Sequence, residues 1–177
     1  MRRFLKDYEL VTSVDEKGRE KKAVAYKGSY FDFEIAEEDY QGFRKLAWAL
    51  IVAMIALQIG AGFVANRGMY QIYIAVPYVL CFFPLVYLSA GALRLPKNTT
   101  HLQRDQAELT IRRMKRSGAA LLVLNSMVII SELVYLVFLN QAAGIGRELA
   151  FLALVVPIGV INALLFWKTR LISVNPE

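Results

Sequence analysis

The chain has 177 residues, 56% of them hydrophobic, and a formal net charge of +6. No repeat or low-complexity segment stands out, and the single cysteine excludes an internal disulfide or a four-cysteine zinc site. The positive excess does not read as nucleic-acid binding, because no basic helix stands clear of the apolar runs and no recognition motif occurs.

The N-terminal segment patterns as β-structure. Tyr8–Val14 is a run with β-branched and aromatic residues, and Asp15-Glu16-Lys17-Gly18 is a turn signal. Lys22–Lys27 alternates around Val24 and Tyr26. After Lys27-Gly28-Ser29, the run Tyr30–Ile35 alternates Phe31, Phe33 and Ile35 against Asp32 and Glu34. The expectation is a small three-stranded β-meander with one apolar face. A unit this small is marginal alone, so that face is expected to pack on the membrane surface, the central loop or another protein. Glu37–Leu46 reads as a short helix that leads into the first long apolar run.

Four such runs occur: Leu46–Ala65, Met69–Leu93, Ser117–Leu139 and Leu149–Trp167. Each is long enough to cross a hydrocarbon core about 30 Å thick at a rise of about 1.5 Å per residue. The expected fold class is an all-α membrane protein, a four-transmembrane-helix bundle of two hairpins. Residues 1–45 form the cytoplasmic segment, 46–168 the transmembrane domain and 169–177 a cytoplasmic tail. Nineteen of the twenty-one Lys and Arg residues lie before the first run, in the loop 94–116 or in the tail, leaving Arg67 and Arg147 in the other two loops. Short basic loops stay in the cytoplasm, so both termini are assigned inside and the location is the cell membrane, against anionic inner-leaflet lipids. No secretory signal is read: the start is polar, and the first run is too long and too far from Met1.

Within the runs, polar side chains are the pointers to chemistry, because each is costly in hydrocarbon. They are Gln58, Asn125, Glu132 and Asn162. Asn125 and Glu132 are two helical turns apart and share a face with Val128 and Tyr135. Counting from run ends sets Gln58 level with Glu132, and Asn125 level with Asn162. A charged Glu132 would cost about 2.5–3.5 kcal/mol. It is therefore expected to keep its proton and bond to Gln58 or Tyr135, or to meet Arg67 or Arg147 snorkelling inward. Ala49, Ala53, Ala56 and Gly60 form a small-residue seam suited to close helix approach. Pro77, Pro84 and Pro157 are candidate kinks. On the cytoplasmic side Arg112, Arg113, Lys115 and Arg116 are candidate docking residues, opposite in sign to the acidic cluster Asp32–Asp39.

Two motif matches are set aside. Gly60-Ala61-Gly62-Phe63-Val64-Ala65 fits a loose dinucleotide fingerprint but follows no strand, and the sequon Asn98-Thr99-Thr100 falls on the cytoplasmic side. Cys81 reads as a small packing residue and His101 as a solvated loop residue. No nucleophile motif, phosphate loop or metal-ligand spacing occurs, so no enzyme activity, cofactor or metal is expected. The functional expectation is a non-catalytic accessory, anchoring or regulatory subunit of a membrane complex, with a protein partner. The alternative is a small homo-oligomeric proton- or cation-coupled transporter or channel using Glu132.

Overall fold

The computed structural model describes residues 8–14, 20–26, 30–33, 36–95, 102–103, 108–138, 145–171 and 174–176. Asp15–Gly18, Lys27–Ser29, Glu34–Ile35, Asn98–His101 and Leu139, which carry some of the sequence-based expectations, lie outside them.

The apolar runs form helices: α1 (Glu37–Gly62), α2 (Ile72–Leu80), α3 (Phe82–Leu93), α4 (Arg113–Phe138) and α5 (Ile145–Leu171). Counting α2 and α3 together, four helices are long and apolar enough to cross a membrane. α1 begins ahead of its apolar run, at an acidic first turn of Glu37, Glu38 and Asp39 that suits a helix N-terminus. A π-helical turn, Glu108–Arg112, leads into α4.

Proline acts differently in the second and fourth helices. Pro84 sits in the first turn of α3, where a missing N–H is tolerated. The chain breaks just before it at Cys81, whose amide N–H reaches the carbonyls of both Pro77 (3.1 Å) and Tyr78 (3.2 Å). α5 instead runs uninterrupted through Pro157.

Burial recurs every three to four residues. α1 buries Ala47, Ile51, Met54, Gln58 and Ala61. α4 buries Leu121, Asn125, Val128, Glu132 and Tyr135, and α5 buries Val155, Ile158, Asn162 and Leu165. This is the stripe of a helix bundle. The outward faces are apolar too, with Val52, Ile59, Val123, Ile130, Val160 and Leu164 all exposed, a surface compatible with lipid contact. α5 packs on α4 and α1, α4 also packs on α2 and α3, and α3 returns to α1. The four rods thus close an antiparallel ring.

The small-residue seam of α1 does not make a close interface. Ala49 and Ala56 are exposed, and a Cβ on Gly60 would meet nothing within 4 Å. Ile51 and Met54, on the neighbouring stripe, take the interior instead.

The three-stranded meander is also corrected. β1 (Tyr8–Val14) pairs antiparallel with β2 (Glu20–Tyr26), but β3 (Tyr30–Phe33) does not continue that sheet. It lies between β4 (Leu102–Gln103) and β5 (Val174–Pro176). The central loop and the tail supply partners for both edges of β3, whereas the last strand of a meander keeps one edge open.

Candidate functional site

The turn between α1 and α2 and the start of α5 bring together groups far apart in sequence. Asn66 and Gly68 are buried in that turn, beside a 3₁₀ turn at Gly68–Tyr70. Glu132 reaches it from α4 and Glu148 from the first turn of α5. Both carboxyl groups are enclosed, at 0% and 1% exposure.

Donors are shared unequally between the two acids. Glu148 Oε1 accepts the backbone N–H of Arg67 at 2.7 Å. Its Oε2 accepts Asn66 Nδ2 at 2.8 Å and the backbone N–H of Gly68 at 3.4 Å. That is the surrounding of an ionised carboxylate, with amides of a helical N-terminus directed at it. Glu132 Oε1 receives only Asn66 Nδ2, at 3.4 Å, and its buried Oε2 has no partner among the described residues. The two carboxyl groups meet around shared neighbours: both accept from Asn66 Nδ2, and both lie against Gly68. Asn66 Oδ1 is likewise buried and unpartnered.

Gly68 makes this approach geometrically feasible. A Cβ there would lie 2.5 Å from Glu132 Oε2 and 3.0 Å from Oε1, so the carboxyl rests against bare backbone. Neither arginine at this end supplies a counter-charge. Arg147 extends outward to the Ala65 carbonyl at 3.4 Å, and Arg67 contributes its backbone N–H.

The expected partners of Glu132 are therefore replaced. Gln58 is engaged elsewhere: its Nε2 donates to the Tyr78 carbonyl at 3.1 Å, and the Tyr78 hydroxyl donates back to the Gln58 carbonyl. Tyr78 also packs its ring on Phe151, 5.6 Å between centroids, joining α1, α2 and α5. Tyr135 is buried on the Glu132 face one turn further along.

Asn125 and Asn162 do not bond to each other. Asn125 Nδ2 donates to the Val155 carbonyl at 3.4 Å and lies against Gly159. Asn162 Nδ2 donates to the Gly118 carbonyl at 2.9 Å. Each thus bonds the facing helix of the α4–α5 pair and sits where a glycine lets it come close.

On the other end of the bundle, Arg112 and Arg116 are exposed, and Arg113 and Lys115 are half-buried. The Arg113 guanidinium lies 5.0 Å from the centre of the Tyr87 ring. Glu37, Glu38 and Asp39 are exposed. Cys81 is buried as a free thiol at the α2–α3 break. Among the described residues there is no cluster of three or more His, Cys, Asp and Glu side chains arranged to hold a metal. A shallow apolar groove of about 250 Å³ is lined by Ala75, Val76, Val79 and Leu80 on α2.

Sequence reasoning singled out Glu132 but missed Glu148, Asn66 and Gly68. Glu148 and Asn66 adjoin the apolar runs rather than lying in them, so the cost of a polar group in hydrocarbon did not flag them. The available signal was topological: two short turns at one end of two hairpins set their polar residues side by side. Comparison with protein-family models, with curated proteins and with solved structures finds no match for this chain.

Proposed function

We propose that this is a multi-pass protein of the cell membrane, with both termini cytoplasmic, acting as a non-catalytic anchoring or regulatory subunit. The observation that carries the reading is how the interior polar groups are used. Gln58, Asn125 and Asn162 each donate to a backbone carbonyl of a neighbouring helix. Such bonds join helices at about 0.6 kcal/mol each. An interior built of joints suits a scaffold. The basic residues Arg112, Arg113, Lys115 and Arg116, together with residues 1–45, would face anionic lipids and a protein partner.

Purification of the tagged chain from native membranes in mild detergent tests this. The reading expects one unrelated protein in stoichiometric amount, lost when residues 1–45 are deleted. A homo-oligomer with no such partner contradicts it.

A second reading is favoured by one specific observation: Glu132 stands buried beside Glu148 with an oxygen lacking any partner among the described residues. In that reading the chain is a small homo-oligomeric transporter or channel coupled to protons or cations. Glu132→Gln separates the two, since it removes ionisation while keeping side-chain shape. Loss of a cation-coupled activity in a folded variant would favour transport.

A further inference from the structure

We infer that Glu132, Glu148 and Asn66 form a binding site for one monovalent positive charge, a proton or a small alkali-metal ion, entered from the Asn66 turn. The site requires only the bundle and its turn. It therefore holds for an accessory subunit as much as for a transporter.

The argument begins with charge. Two enclosed carboxyl groups that share one amide donor and one glycine seat cannot both be ionised at ease without a cation between or beside them. The charged and titratable groups at this end are few. Arg67 and Arg147 are exposed, with Arg147 directed at a carbonyl; Tyr135 continues the α4 face, and Tyr70 and Tyr73 of the first turns around α2 are exposed. Among the described residues no basic side chain pairs with either acid.

Donor placement then locates the deficit. Glu148 is supplied by Arg67 N–H, Gly68 N–H and Asn66 Nδ2. Glu132 is left with one 3.4 Å contact and a bare Oε2. A single proton carried by Glu132 and donated to Glu148 answers that deficit and leaves the pair with one net negative charge. An alkali-metal ion does the same when that proton leaves to water, so charge is conserved in the exchange.

Asn66 fits both occupants. As oriented, its Nδ2 serves the two carboxyl groups and its buried Oδ1 serves nothing. A half-turn of the amide exchanges these atoms and directs a third oxygen at the pair. All-oxygen ligands select hard cations. Glu148 is already compensated by backbone amides and Gly68 closes tightly on Glu132, so one charge rather than two is the matching load. Access comes from the turn itself, where Ala65, Arg67 and Arg147 are exposed beside the buried site.

Cys81, the only cysteine, gives a direct readout of bundle opening. The full chain in lipid nanodiscs is titrated between about pH 6 and pH 10, in choline chloride and in sodium chloride, while its thiol-labelling rate is followed. Each rate is divided by that of Glu132→Gln, whose amide supplies a permanent N–H and cannot titrate. Loss of one proton on opening changes an equilibrium by about tenfold per pH unit at the limit. We expect the ratio to rise with pH, at up to that slope while the closed site holds its proton, and to level off once that proton is lost. If sodium suppresses the climb, the site takes alkali ions; if it does not, the occupant is the proton alone. A ratio that stays flat across the range in both salts overturns the site. Glu148→Gln, which removes the same shared charge from the other side, is the reference if Glu132→Gln does not fold.

Discussion

Close contacts at single glycines decide how the polar residues of this bundle are seated. Gly68 admits the Glu132 carboxyl to the turn, and a methyl there would lie 2.5 Å from Oε2. Gly68→Ala should therefore cost about 1–3 kcal/mol, the range for overpacking a filled site, measured by thermal or denaturant unfolding in detergent. Gly42→Ala is the matched control. It lies in a helix with nothing within 4 Å of its Cβ position, so it should stabilise by about 0.5–1 kcal/mol. At the α4–α5 joint, Asn125→Ala and Asn162→Ala should each cost about 0.6 kcal/mol and no more than about 1.7 kcal/mol. A larger loss in the same unfolding assay would mean that these amides do more than join helices. Glu132 was legible in the sequence because a lone acid in an apolar run is conspicuous. Its partners were not, since they come from turns whose side chains meet only after the hairpins dock.

At the level of elements, hydropathy outlined the helices well, because backbone groups in hydrocarbon must be satisfied within the segment. Hydropathy is silent on the break at Cys81, but the prolines read as candidate kinks, Pro77 and Pro84, flank it within one short stretch. Cys81 is 1% exposed there. It should resist thiol reagents in the folded protein and react on unfolding, which labelling with and without denaturant would show. Pro84→Ala returns a donor to the Leu80 carbonyl and should slow amide exchange around residues 80–85. Unchanged exchange would mean that packing, not the missing N–H, breaks the helix. From the sequence, β-structure was expected at Tyr8–Val14 on residue type and at Lys22–Lys27 and Tyr30–Ile35 on alternation. The partners of β3 were not readable, because local periodicity says nothing about strands contributed by a distant loop and the tail.

For the whole molecule, the four apolar helices pack as a ring with lipid-like outer faces. The ring has two unlike ends. One carries the Glu132–Glu148 pair in tight turns, and the other carries the basic residues that flank α3, α4 and α5. In the proposed topology, which rests on the positive-inside bias, the basic end lies in the cytoplasm and the carboxyl pair at the outer face. The functional proposals depend on that assignment, since a partner would be met at the basic end and a cation at the other. The most direct test is single-cysteine accessibility in intact cells, on a Cys81→Ser background, comparing Arg67→Cys with Arg116→Cys. A membrane-impermeant thiol reagent is predicted to label Arg67→Cys from outside, and Arg116→Cys only after permeabilisation. Labelling of both from the same side, or in the reverse order, would contradict the account.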